Sequence, residues 1–353
     1  MHFENASIPH EYYNYINKKI LFIFSLVLTL TLLFIISLSF GSIEIDLFEV
    51  IKTLLTFGED KRVELILLNI RLPQALTAVV AGSGIATSGA VMQSVLRNPL
   101  ASPFTLGISH ASAFGAALAV ILSGTVFVNS EIFNLSNPLL TISASFFFSI
   151  VTSTIIIFIA KNKGASPQVM VLTGIALGSL FGAGTMLIQY FADDVQLAAM
   201  IFWTFGDTAR TNWNELQILS VLTIVSQFFF IVNSRYYNAM IMGDETAKGL
   251  GVKVETVRLT GMAIASLLTS VTISFVGIIS FVGLVAPHIV RRLIGDDHRF
   301  LIPAVMLAGG LILLCADIVA RLIFLPHVLP VSIFTAFLGA PVFIYLIIKG
   351  SRQ

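Results

Sequence analysis

The sequence predicts an all-α polytopic membrane protein with about ten transmembrane helices and both termini in the cytoplasm. Composition is the first observation: 56% of the 353 residues are hydrophobic and 11% charged, against roughly 25% charged in soluble domains. The second is a mean hydropathy of +0.94. The third is the return of long uncharged runs, of which Arg71 to Arg97 is the clearest. As helix that interval runs about 39 Å at 1.5 Å per residue, more than a hydrocarbon core of roughly 30 Å.

Taken in order, Lys18 and Lys19 precede Ile20 to Phe40, a run too long for the apolar core of a signal peptide and suited to a retained first span. Gly41 to Arg62 is polar enough for an external loop, with a short interfacial helix around Leu47 to Phe57. The second span is Arg71 to Arg97, with Pro73 in its first turn, where a missing N–H costs little. Gly82, Gly84, Ala86, Gly89 and Ala90 leave its middle almost bare, which suits close packing of backbones in lipid. Pro99 and Pro103 forbid its straight continuation.

A third span runs from about Thr105 to Val126, and a loop without Lys or Arg, Asn129 to Pro138, leads to the fourth, Leu139 to Ala160. The fifth, Gln168 to Phe191, carries Gly174, Gly178 and Gly182 on one face. Such a stripe serves packing or lines a translocation path. Asp193 to Asn214 reads as a connector with interfacial Trp203 and Trp213, and Glu215 to Val232 as the sixth span. Asn233 to Arg258 is the largest polar segment between spans. Its glycine-bracketed helix formers predict one or two short helices outside the membrane. Leu259 to Leu284 is the seventh span, and an eighth crossing must be short or broken, from about Ile279 to Leu293. Leu301 to Phe324 and Val331 to Ile348 complete the set. With ten crossings, fourteen of twenty basic residues share the side of both termini, which the positive-inside rule makes cytoplasmic.

Several functions are excluded or weakened. A net charge of +1 without a basic stretch offers nothing to nucleic acid. Cys315 is the single cysteine, so one chain cannot hold a disulfide. No GxxxxGK[ST] loop occurs, so this chain alone is not an ATPase, and no Ser/His/Asp or metal-ligand constellation is visible. Ion-coupled transporters call for a mid-membrane acid. Asp317 is the acid inside an apolar run, and an i,i+4 pair with Arg321 accounts for it.

Arg71 and Arg321 both end spans on the external side. Anchors that snorkel to headgroups and fixed cations for a carboxylate on a soluble partner fit them equally. The segment Gly243 to Val252 reads as a solvated loop or as a docking element for a cytoplasmic partner. His110, in the third span, faces the bundle interior or a wet cavity, because a histidine in lipid is costly.

The motifs RLPQALTAVVAGSGIATSGAVMQSVLRNPLASP, GDETAKGLGV, FVGLVAPHIVRRLIGDDHRFLIP, ADIVAR and LGAPVFIYLI follow one another from residue 71 to 348. In these the chain resembles the FecCD-type permease subunits of ABC importers for ferric siderophores, haem and cobalamin. The resemblance implies a ten-helix subunit of the cytoplasmic membrane. It would pair with a second permease copy, identical or paralogous, two copies of an ATP-binding subunit and an extracytoplasmic substrate-binding protein. It implies no catalysis and no cofactor on this chain, ATP and magnesium belonging to the partner. Residues 1–19 would be a cytoplasmic segment, 20–349 a single permease domain and 350–353 a tail.

By resemblance Arg71 and Arg321 meet glutamates of the binding protein, and Gln74 stands where many relatives have a second arginine. Asn98 and Leu100 inherit a cytoplasmic gate, while Ser166-Pro167-Gln168 departs from the companion gate sequence. Gly243, Asp244, Glu245, Ala247, Gly249, Leu250 and Gly251, within about 233–258, match the coupling helices that seat in the ATP-binding subunit. His110 departs from a small-residue stretch and, with Gly174 and Gly178, is a candidate for the substrate pathway. The cargo expected is a metal chelate, a ferric siderophore first, with haem, cobalamin or an oxyanion such as molybdate as alternatives; an ion-coupled secondary transporter or a membrane scaffold are the rival readings.

Overall fold

The computed structural model describes residues 10–41, 43–56, 60–126, 138–325 and 327–350, and every regular element among them is helical. The expected loop at Asn129 to Pro138 and the tail at 350–353 lie almost or wholly outside the described residues. Helix α1 (His10–Ser39) is the first apolar run, and α2 (Leu47–Thr56) is the short helix expected beyond it. Asp60 caps α3 (Lys61–Ile66) by accepting from the Arg62 N–H, which is the hydrogen bond an N-cap carboxylate supplies.

From α3 the chain passes through one π turn, Leu67–Arg71, into α4 (Leu72–Val95). The second helix therefore begins at Lys61, ahead of Arg71, because the cap and not the arginine starts it. In the π turn the Leu72 N–H reaches back to the Leu67 carbonyl, and the Leu68 carbonyl accepts from Trp213 Nε1 at 3.1 Å.

After α5 (Ile108–Val126), α6 (Pro138–Lys161) and α7 (Pro167–Phe191) comes a helix the sequence reading treated as connector, α8 (Asp194–Thr204). Asp193 and Gln196 form a reciprocal capping box at its start, and Trp203 on it is buried. Asn212 and Glu215 repeat that device at α9 (Trp213–Val232). The polar segment folds as two short helices, α10 (Ser234–Ile241) and α11 (Asp244–Gly249). Helix α12 (Val254–Val276) stops at Gly277, whose φ of 84° is left-handed, short of the Leu284 end expected for the seventh span, and a separate short helix, α13 (Val282–Ile294), follows. The bundle closes with α14 (His298–Leu322) and α15 (Val331–Gly350).

Among the described residues seven helices are long and apolar enough to cross a membrane: Tyr13–Ser39, Lys61–Val95, Pro138–Lys161, Pro167–Phe191, Trp213–Val232, Val254–Val276 and His298–Leu322. Two shorter apolar helices, Ile108–Ser123 and Val331–Tyr345, accompany them. Helix α4 is the axis of the bundle, buried on nearly every face and packed by α14, α12, α13 and α9. Its bare residues explain the fit. A Cβ at Gly82 would meet the Gly309 carbonyl and lie 2.8 Å from Leu313 Cβ, and one at Gly89 would overlap the Gly283 carbonyl. No side chain fits at those crossings, so backbones approach directly.

Candidate functional site

At its C-terminal end α4 is closed by a turn that its own sequence dictates. The Arg97 N–H bonds the Ser94 carbonyl and the Asn98 N–H bonds Gln93, the paired bonds of a left-handed helix cap. Arg97, with φ of 47°, occupies the position glycine usually takes. Asn98 Oδ1 then accepts from the Leu100 N–H at 2.9 Å, and the Asn98 carbonyl accepts from Ala101.

The two ends of this turn line two different cavities. Above it, Ser102, Pro103 and Phe104 close the floor of a space of about 100 Å³ bounded by Ile85, Thr269 and Gly283. Below it, Arg97, Asn98 and Pro99 form the roof of a larger one, about 480 Å³, with His288, Arg291 and Arg292 on its wall. Asn98 is half-buried in that roof, whereas Leu100 is exposed.

The turn is tied to α10 and α11 by two buried networks. Arg258 of α12, 1% exposed, donates from Nε to the Val95 carbonyl at 2.7 Å, from Nη1 to Ala165 at 3.1 Å and from Nη2 to Asp244 Oδ1 at 2.8 Å. Arg97 approaches the same carboxylate at 3.7 Å. Burial alone would raise the Asp244 carboxyl, but the hydrogen bond and charge of Arg258, with Arg97 and Lys248 adding, hold it below the usual carboxylate range. The second network runs through buried His298. Asn238 Oδ1 accepts from the His298 backbone N–H and from Nδ1, and Asn238 Nδ2 donates to Asp297. Those bonds place the imidazole proton on Nδ1, and Nε2 lies 2.6 Å from Ser94 Oγ on α4.

Among the expected coupling residues, Ala247 is buried and Asp244 is the one held by arginines; Glu245 pairs with Lys248 at 3.1 Å on the surface. Leu250 is exposed, and Gly243 and Gly251 adopt left-handed φ of 108° and 82° that favour glycine. A Cβ at Gly249 would meet open space.

At the outer end, Arg71 and Arg321 lie side by side but buried, 4% and 6% exposed. Arg71 Nη1 donates to the Leu38 and Ser39 carbonyls, both at 2.7 Å, and Nη2 to the Ile43 carbonyl. Arg321 pairs with Asp317 at 2.9 Å and donates to Ser37 and Phe40. Both guanidinium groups thus satisfy the open carbonyls at the end of α1. Gln74 Nε2 donates to Asp317 Oδ1 at 2.9 Å, and Thr208 to the same oxygen at 2.5 Å. The Asp317–Arg321 spacing is visible in the sequence, whereas Gln74 and Thr208 reach Asp317 only through the fold.

His110 packs at a tilt against Phe104, ring centroids 5.0 Å apart, and lies against the α7 stripe; its Nδ1 is buried without a hydrogen-bond partner. Gly174 and Gly178 are covered by Leu106 and Gly107, and a Cβ at Gly178 would sit 3.5 Å from the imidazole. Here the stripe packs α5 onto α7.

The sequence profile of the FecCD transport family matches residues 29–349. The chain belongs to the FecCD transport family. This FecCD chain is 49% identical to an ABC transporter permease protein of Methanocaldococcus jannaschii over 98% of its length and 99% of the relative's. It is 37% identical to the Fe(3+)-citrate import system permease protein YfmE of Bacillus subtilis, with 95% and 97% covered. With the hemin transport system permease protein HmuU of Yersinia pestis it shares 36% identity over 81% and 84% of the two chains. A solved structure described as an inward-facing conformation of a metal-chelate type ABC transporter superposes with a TM-score of 0.80 at 30% identity, covering 93% of this chain and 98% of that one. The FecCD chain is accordingly a multi-pass membrane transport subunit rather than an enzyme.

Proposed function

We propose that this chain is the permease subunit of an ABC importer that carries a metal chelate, a ferric siderophore first, from a binding protein into the cytoplasm. The observation that carries the reading is the Asn98–Pro103 turn, whose two ends line two different cavities at the end of the most buried helix. Separating two spaces with a short turn is what an inner gate requires. Fixing that turn to short cytoplasmic helices through Arg258 and Asp244 gives ATP hydrolysis on a separate subunit a handle on it. The ten-crossing count with both termini inside, and the pairing of two permease copies with two ATP-binding subunits that hold ATP and magnesium, belong to the same proposal.

The binding protein docks on the outer face. Arg71 and Arg321 serve it by fixing the carbonyls of Ser37, Leu38, Ser39, Phe40 and Ile43 and by leaving that end with a net positive charge, since Asp317 offsets one of the two arginines. Relatives named for iron(III) citrate and hemin support a chelate cargo.

The test is uptake into liposomes. The chain reconstituted with its ATP-binding subunit and binding protein accumulates iron(III) chelate only with internal ATP. Uptake by the chain alone under an ion gradient, without ATP, would refute the importer and establish the secondary-transporter reading.

A further inference from the structure

We infer that the open cavity beneath the gate turn is an anion-binding vestibule, and that the cargo class released through it is a negatively charged chelate. The second half rests on the importer reading above. Arg97, Arg291 and Arg292 line this cavity of about 480 Å³, with Asp296 as the acid on its wall and Gln93, Ser94 and Asn98 as neutral hydrogen-bonding groups. The chain as a whole balances twenty basic residues against nineteen acidic ones, so a concave surface with three guanidinium groups against one carboxylate is a local concentration of charge.

The three arginines are not equally committed. Arg291 is fixed along the wall, with Nη1 on Gln93 Oε1, Nη2 toward the Ala90 carbonyl at 3.4 Å and Nε 3.1 Å from Asp296. Arg97 has only a loose pairing at 3.7 Å with Asp244, and its side chain is 42% exposed. Arg292 is exposed and has no carboxylate partner among the described residues. One fixed and two available guanidinium groups around open space suit a ligand with two or more carboxylate or phosphate groups, which planar guanidinium recognises two bonds at a time.

Retention of cytoplasmic positive charge during insertion accounts for the sign of these residues. It does not account for their convergence on one cavity. Nor does it account for Arg97, which holds φ of 47° at a cap where glycine is the unstrained choice. An arginine kept there against its backbone preference aims a cation into the roof beside Asn98. Openness to the cytoplasm keeps the hold weak, as an exit requires.

Equilibrium dialysis on the purified full-length chain in neutral detergent tests this with iron(III) citrate, inorganic phosphate and a neutral iron(III) trihydroxamate as probes. The expected result is saturable binding of citrate complex and phosphate, weakened at least about tenfold in R97Q/R292Q, largely kept in R97K/R292K, and absent for the neutral chelate. Thermal melts of both variants confirm that the fold is intact. No saturable binding by the wild type, equal binding by R97Q/R292Q, or equal binding of the neutral chelate would overturn the vestibule. Phosphatidylglycerol micelles that displace iron(III) citrate where inorganic phosphate fails would make it a lipid-headgroup site and overturn the cargo assignment. Dialysis needs neither ATP nor partner subunits, so its failure is distinct from failure of ATP-driven uptake.

Discussion

Asp317 shows how much a single residue at the outer end depends on the fold around it. Its carboxylate pairs with Arg321 and accepts from Gln74 and Thr208, with the side chain almost fully buried. Breaking a buried pair by removing one partner costs about 3–5 kcal/mol, because the other charge is left uncompensated. Asp317→Ala is therefore expected to lower the melting temperature of the detergent-purified protein sharply, while Gln74→Leu, losing one hydrogen bond, costs about 1–3 kcal/mol. The double change Asp317→Leu with Arg321→Met removes both charges and should recover much of the loss; a double variant no better than Asp317→Ala would show that the two groups do not act as a pair. The i,i+4 spacing of this pair was legible in the sequence. The reach from Gln74 was not, since position 74 is read by resemblance as a missing arginine, whereas its amide is a ligand of the same carboxylate.

At the level of elements, glycine positions separate into those that packing demands and those that the backbone demands. Gly89 and Gly82 sit at crossings where α13 and α14 leave no room for a methyl group, so Gly89→Ala should overpack the bundle by about 1–3 kcal/mol, seen as loss of monodisperse protein. In α11, Gly249→Ala meets open space and should be neutral or stabilising by up to about 1 kcal/mol. Gly251→Ala, at φ of 82°, should cost about 1–2 kcal/mol and reduce co-purification with the ATP-binding subunit. The joint that anchors α11 also carries a pH dependence. Asp244 has its pKa lowered by Arg258, so its contribution is complete above the unfolded carboxylate value of about 3.9 and is lost as pH falls through the folded value. Binding of the ATP-binding subunit should therefore be insensitive to pH from neutrality down to about 5, and a midpoint near 6 would contradict this assignment. Long apolar runs and the two short helices of the polar segment were readable, because hydropathy and glycine spacing set them, whereas the stop of α12 at Gly277 was not, since the apolar run continues to Leu284. Helix α8 was not, because its burial of Trp203 depends on tertiary partners and its capping box sits within a polar stretch.

Across the whole molecule, α11 has a short route to the proposed gate turn. Asp244 leads to Arg258, whose Nε holds the carbonyl of Val95, the last residue of α4. Helix α14 joins the same end through His298 and Ser94, with Asn238 of α10 holding the imidazole. Helices α10 and α11 are therefore both linked to α4 within its last turn, just before the Arg97–Asn98 turn. Arg258 also holds the α6–α7 turn at Ala165, so displacing α11 loads the end of α4 and that turn at once. Arg258→Lys keeps the charge but offers a single compact ammonium in place of a planar fork, so it cannot hold Val95, Ala165 and Asp244 together. In the reconstituted importer this variant is expected to hydrolyse ATP at a rate near that of the wild type while moving several-fold less chelate per ATP. A parallel fall in hydrolysis and uptake would place Arg258 in assembly instead, and an unchanged ratio would show that the route from α11 to the gate does not pass through it.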